Sequence, residues 1–185
     1  MRSKYWPPIT FVCHHNRYAN HLRRTLKEDE KQPIVLIAED DHGHFLLLRR
    51  AFEHFGYAGA IQHVWDGEEA VAYLAGEGKF HQRSEFPLPD FLLLDLKMPR
   101  MNGLEVLAWV RAQPTLAQLR TVVLSTSDDL RDIRKAYEFG AASFLTKPVN
   151  FSEFKDMVEA LFNYWLVLNK GAPSFRPVPR RGPGG

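Results

Sequence analysis

Short apolar runs, each ended by a polar or charged residue, alternate with segments of helical period along most of this chain. Such runs, bounded by loop residues, read as buried strands. Ile34 to Glu39 is the first, after Pro33. Ala58 to Val64 is a weaker second strand, and Phe91 to Leu94 is the central one. Thr121 to Leu124 is β-branched and runs into Ser125; Ala142 to Leu145 precedes Thr146-Lys147-Pro148. Between them lie helical segments. Residues 43–55 place Phe45, Leu48, Phe52 and Phe55 on one face. Asp66 to Ala75 starts on a candidate N-cap, Asp66. Leu104 to Ala112 is stopped by Gln113-Pro114. Asp128 to Phe139 is closed by Gly140. A last helix runs from Phe151 to about Asn169, with Asn150 and Glu153 spaced as a capping pair. Gly76 to Pro89 reads as a long polar loop.

Strand–helix units in this order predict an α/β fold with a parallel sheet covered on both faces. Right-handed crossovers bring every strand's carboxyl end to one edge, where open α/β sheets bind ligands. Glu39, Asp40, Asp95, Ser125 and Lys147 meet there. Each has an ordinary explanation when taken alone: Asp95 as a cap, Ser125 as a turn residue, Lys147 as a surface lysine. Together they point to chemistry. Clustered carboxylates repel unless a cation joins them. Hard oxygen ligands suit Mg²⁺, which keeps several waters and binds one or two carboxylates plus a phosphate. A lysine pairs with carboxylate or phosphoryl oxygen, and an aspartate can itself accept a phosphoryl group.

Composition limits the alternatives. The length of 185 residues fits one domain with extensions, and 45% hydrophobic residues suffice for a packed core. A single cysteine, Cys13, rules out an internal disulfide and a cysteine-based zinc site, and fits a cytoplasmic setting. No segment approaches the roughly 20 apolar residues of a membrane span. The net charge of +2 is unevenly spread. Residues 1–32 carry seven Lys/Arg against three Asp/Glu, and residues 171–185 carry three Arg and no acid. The expected organisation is a basic extension over 1–32, flexible or partly helical between Tyr18 and Lys31. A domain over 33–170 follows, then a Pro/Gly/Arg-rich disordered tail over 171–185.

Val35-Leu36-Ile37-Ala38-Glu39-Asp40-Asp41, Leu93-Leu94-Asp95-Leu96-Lys97-Met98-Pro99, Val122-Val123-Leu124-Ser125-Thr126-Ser127 and Phe144-Leu145-Thr146-Lys147-Pro148 occur in that order. Over residues 33–170 the chain resembles the receiver domain of two-component response regulators. The resemblance implies a flavodoxin-like (βα)5 doubly wound sheet of strand order 2-1-3-4-5. It implies phosphotransfer from a sensor histidine kinase to Asp95. Glu39, Asp40, Asp95 and the main-chain carbonyl of Lys97 would hold Mg²⁺, with Asp41 just outside the acidic pair. Lys147 would contact the phosphoryl group. Ser125 takes the hydroxyl switch position, where threonine is more usual; Thr126 fits the spacing to Lys147 less well. Phe144 takes the aromatic switch position without a phenolic hydroxyl. The protein itself would be a phosphoacceptor, catalysing only its own phosphotransfer and dephosphorylation.

No output domain is recognisable after Asn169, so a stand-alone regulator without a DNA-binding domain is expected, acting through protein contacts. The last helix is apolar over a wide arc. Phe154, Val158, Leu161 and Trp165 share one face, and Met157, Tyr164 and Leu168 line the next. With Phe162-Asn163-Tyr164-Trp165-Leu166 and the enlarged Gly76 to Pro89 loop, the chain resembles single-domain regulators paired with bacterial phytochromes. That resemblance implies a homodimer, with Met157, Tyr164, Trp165 and Leu168 as interface candidates, and a bacteriophytochrome as the kinase.

Two other classes fit less well. A haloacid-dehalogenase-like phosphatase usually needs a second aspartate two residues after its nucleophile, where this chain has Lys97. A flavodoxin-like cofactor protein needs a phosphate-cradling loop after the first strand, where Glu39-Asp40-Asp41-His42 would repel phosphate. The histidines at 14, 15, 21, 42, 44, 54, 63 and 81 are too scattered to read as a metal set; His42, beside the acidic loop, is the one selected as an influence on phosphoryl lifetime.

Overall fold

Side chains alternate across each central strand, and that alternation sorts the helices onto two sides of one sheet. The computed structural model describes residues 33–54, 57, 59–162 and 164–165. The expectations for residues 1–32 and 171–185 therefore lie outside the described residues, as do Phe55 and Leu168. Strands β1 (Val35–Ala38), β2 (Ile61–Val64), β3 (Phe91–Leu94), β4 (Arg120–Ser125) and β5 (Ser143–Thr146) form a parallel sheet in the order β2-β1-β3-β4-β5. The helices are α1 (His42–His54), α2 (Gly67–Ala75), α3 (Gly103–Arg111), α4 (Leu130–Glu138) and α5 (Phe151–Phe162). This is the doubly wound flavodoxin-like arrangement that the resemblance to receiver domains implies.

Val35, Ile37, Phe91, Leu93, Val122 and Leu124 face α1 and α5, meeting Leu48, Phe52, Phe154, Val158 and Leu161. Leu36, Ala38, Leu92, Leu94 and Val123 face the other way, onto Tyr73 and Leu74 of α2, Val106, Leu107 and Val110 of α3 and Ala136 of α4. Central strands covered on both sides account for the unbroken apolar runs.

Local signals set most helix starts. Asp66 Oδ1 accepts the Glu69 amide, so Asp66 caps α2 as expected. Asp41 Oδ1 takes the His44 amide and caps α1, which holds the Asp41 carboxyl below its usual range. Asn102 and Glu105 close a reciprocal capping box on α3. Asp129 caps α4 through the Arg131 amide, and Gly140, at φ 86°, follows its end.

Several expectations change. The second strand starts at Ile61 rather than Ala58. Asn150 takes the Ser152 amide rather than pairing with Glu153. Among the described residues the last helix is regular over Phe151–Phe162, with wider π-type turns at Tyr164 and Trp165, and its expected continuation to Asn169 lies outside the described residues. The long polar loop is a folded cap. A 3-10 turn at Gly78–Phe80 buries Phe80 against Tyr73 and Phe86. Arg83 donates to the carbonyls of Tyr73, Leu74 and Phe86, satisfying acceptors that the end of α2 leaves open. Tyr73 Oη donates to the Pro87 carbonyl.

One face of the apolar arc on α5 packs on its own domain. Phe154, Val158 and Leu161 are buried, Met157 packs beside them, and Trp165 lies with its ring 6.0 Å from that of Phe91. Of the interface candidates, Tyr164 is exposed.

Candidate functional site

Strand register brings the acidic positions together. Ala38 pairs with Leu94, and Leu94 with Val123, so β1, β3 and β4 end almost level. The Asp95 amide donates to the Ala38 carbonyl, which sets Asp95 beside Glu39. At the other end of the row, Ser125 pairs with Thr146, and the Lys147 amide donates to the Ser125 carbonyl at 2.7 Å.

From there the Lys147 side chain runs into the carboxylates. Its Nζ lies 2.6 Å from Glu39 Oε2 and 2.9 Å from Asp95 Oδ2, and all three side chains are buried. Charge-assisted hydrogen bonds of this length are strong in a low-dielectric site. Burial pushes the Glu39 carboxyl above its usual pKa and the Asp95 charge adds to that, while Lys147 pulls the other way. Asp40 is exposed at the rim, and its carboxylate oxygen lies within 4.8 Å of ligand atoms on Glu39 and Asp95. Three carboxylates against one ammonium leave two negative charges, in an all-oxygen donor set that a hard divalent cation would neutralise. The residues present therefore fit Mg²⁺.

The remaining candidates sit around this centre. The Lys97 amide donates to Asp95 Oδ1 at 3.3 Å. Ser125 is fully buried, and its Oγ accepts the Ser127 amide. Ser127 Oγ donates in turn to Asp132 Oδ2 in α4. Phe144 is partly buried on the α4 side of β5, with its amide donating to Tyr137 Oη.

His44 also stands at the centre, at a position that no sequence motif marks. His44 Nδ1 lies 3.2 Å from Glu39 Oε1, so Glu39 is held by Lys147 on one oxygen and by His44 on the other. His42, selected from the sequence, stacks on Trp65 instead. The helical period distinguishes the two: the capped first turn of α1, starting at Asp41, carries position 44 back over the strand end. The β3–α3 loop is tightly determined as well. A Cβ on Gly103 would overlap the Asp95 carbonyl, and one on Gly67 would overlap the Met101 carbonyl. Arg100 has φ 65°, a left-handed conformation that costs a non-glycine residue about 1–2 kcal/mol.

A row of carboxylates at the strand ends, bridged by a lysine from the last β–α turn, matches one family. Residues 35–159 fit the response regulator receiver domain. The chain belongs to that family. This receiver domain is 38% identical over 143 residues to the probable methanogenesis regulatory protein FilR2 of Methanothrix harundinacea, covering 77% of the chain and 90% of the relative. It is 31% identical over 140 residues to the response regulator Rcp1 of Synechocystis, covering 75% and 93%. Among solved structures it is similar to the phosphorylated cyanobacterial phytochrome response regulator RcpA. The TM-score is 0.72 at 32% identity, covering 77% of this chain and 99% of that one. The Mn²⁺-bound form of Rcp1 gives a TM-score of 0.71 at 28% identity, covering 76% and 99%. Among the described residues of this receiver domain, no helix is long and apolar enough to cross a membrane.

Proposed function

We propose that this receiver domain works in a two-component phosphorelay, accepting a phosphoryl group on Asp95 from the phosphohistidine of a sensor histidine kinase. The observation that carries this reading is the placement of Lys147 Nζ between Glu39 and Asp95, with Asp40 beside them. Glu39, Asp40, Asp95 and the Lys97 carbonyl would hold Mg²⁺. Mg²⁺ bound there would offset the charge that develops on the phosphoryl oxygens.

The protein's own groups do the rest. An Asp95 carboxylate oxygen attacks phosphorus in line, the P–N bond to the kinase histidine breaks, and its electron pair stays on the imidazole nitrogen. The product is an acyl phosphate on Asp95. Lys147, held in place by Glu39, supplies a fixed positive charge to the phosphoryl oxygens. The Ser125 hydroxyl turns to donate to one of those oxygens and gives up the Ser127 amide. That exchange biases the α4–β5–α5 face, where Phe144 sits, between two arrangements. Signalling then passes through protein contacts in the cytoplasm. The coverage of FilR2 and Rcp1 over most of their own lengths supports that reading.

Incubation with acetyl phosphate and Mg²⁺ tests the proposal. Covalent labelling is expected with Mg²⁺, with little when a chelator is present and none in Asp95→Asn. Undiminished labelling of Asp95→Asn would sink the assignment. The likeness to the phytochrome response regulator RcpA favours a bacteriophytochrome as the kinase, and phosphotransfer profiling against candidate kinases tests that choice. A homodimer belongs to the same proposal, with exposed Tyr164 at its contact. Sedimentation that returns only monomer at high micromolar concentration would count against it.

A further inference from the structure

Arg100 does something at its position that the local backbone does not require. Its φ of 65° is one that glycine adopts without cost. The arginine side chain folds back from there, and its Nη2 meets Asp66 Oδ2, while Nε lies 3.6 Å from Glu68. Asp66 is fully buried at the start of α2. Its capping role uses only Oδ1, which takes the Glu69 amide. Oδ2 has no other hydrogen-bond partner among the described residues. An asparagine would cap equally well, so neither the cap nor the turn explains why a buried carboxylate faces an arginine here.

What the pair joins does explain it. The loop from Leu96 to Asn102 starts beside Asp95 and contains Lys97. Its two ends are fixed to each other, since the Gly103 amide donates to the Leu96 carbonyl. Its middle rests on α2, where Gly67 leaves room for the Met101 carbonyl. Arg100 ties this same stretch to the start of α2, through buried Asp66 and, at 3.6 Å, exposed Glu68. We propose that Arg100 and Asp66 form a latch that sets the position of the Lys97 carbonyl, and with it the affinity of the carboxylate site for Mg²⁺. Arg100 and Asp66 are positioning residues; neither touches the metal. The inference rests on the metal-site reading given above.

Calorimetric titration of the full chain with Mg²⁺ alone tests it, using wild type, Arg100→Gly, Arg100→Lys and the double variant Arg100→Gly/Asp66→Asn. Residues that orient metal ligands typically change affinity by about 10–100-fold when lost. Arg100→Gly is expected near the lower end, about tenfold weaker. Arg100→Lys should recover part of the loss, because an ammonium can still pair with Asp66. The double variant guards against misfolding: glycine suits the turn, and asparagine keeps the cap without an unpaired buried charge. Its melting temperature without metal should match wild type while its Mg²⁺ affinity stays about tenfold weaker. Wild-type affinity in both Arg100→Gly and the double variant would overturn the latch and leave the site intact. Absence of any Mg²⁺ binding by wild type would overturn the site reading and the latch with it.

Discussion

Lys147 Nζ lies 2.9 Å from Asp95 Oδ2 across 52 positions of sequence, and the same nitrogen holds Glu39 at 2.6 Å. The pair is buried, so neither carboxylate can turn to water for compensation if the ammonium is lost. Removing one partner of a buried ion pair costs about 3–5 kcal/mol. Lys147→Met keeps the volume and removes the charge. Without metal it should be about 3 kcal/mol less stable in urea unfolding. Millimolar Mg²⁺ should stabilise the variant more than wild type, because the unpaired carboxylates gain more from a cation. Equal stability of the two proteins in chelator would contradict this picture of the site.

Gly103 stands where the chain turns from the acidic strand end into α3. A Cβ there would overlap the Asp95 carbonyl and crowd Leu96 Cα. These are backbone atoms, and they cannot swing aside as a side chain can. Gly103→Ala is therefore expected to lose about 2–3 kcal/mol, as overpacked sites do. Helix propensity alone would predict a gain on replacing a helical glycine by alanine, but Gly103 is buried, so the sign of the change decides between the two effects. Chemical denaturation of the variant reads it directly.

Much of this site was legible in the sequence because the sheet does the positioning. Apolar runs ending in Glu39, Asp95, Ser125 and Thr146-Lys147 fix which residues meet once the strands are parallel, whatever the details between them. The first turns of the helices were legible in part: Asp66 reads as a cap because a following helical period makes it one. Partnerships with main-chain atoms were not. Arg83 binds three carbonyls, and carbonyls carry no sequence signature, so the stretch from Gly76 to Pro89 read as polar loop. His42 and His44 both lie near the acidic loop in sequence, and only the capped turn at Asp41 brings His44 rather than His42 to Glu39. On the last helix the face of Phe154, Val158, Leu161 and Trp165 covers the sheet, as its period implies, while on the adjacent face Met157 packs beside the core and Tyr164 stays exposed.

Ser127 links the strand end to α4. Its amide donates to Ser125 Oγ and its own hydroxyl donates to Asp132 Oδ2 at 2.9 Å. Ser127→Ala keeps the first bond and removes the second, together with the long Asp129 amide bond to Ser127 Oγ at 3.4 Å. The expected loss is about 1 kcal/mol, typical of one side-chain hydrogen bond. Hydrogen exchange should speed up in the first turn of α4 and stay unchanged in α2. Uniform exchange across both helices would mean that the Ser127–Asp132 bond does not anchor α4.

The capped loop gives the fold an alkaline signature. Burial pushes the Tyr73 phenol up to about 12, with Arg83 opposing, and burial raises Tyr57 in the same sense. Below the ordinary phenol value near 10, Tyr73 is protonated whether the chain is folded or not, and its contribution to stability is complete. As pH rises from there, the unfolded phenol ionises first, the folded state holds more protons, and stability falls until the folded phenol ionises near 12. Tyr73→Phe removes this dependence along with the hydrogen bond to the Pro87 carbonyl. At neutral pH the variant should be less stable by about 1 kcal/mol. Between pH 10 and 12 its stability should fall less steeply than that of wild type, with Tyr57 supplying the remaining slope. Urea unfolding at stepped alkaline pH checks both parts. Parallel profiles for the two proteins would show that the phenol is not protected, and that the loop from Gly76 to Pro89 does not close over it.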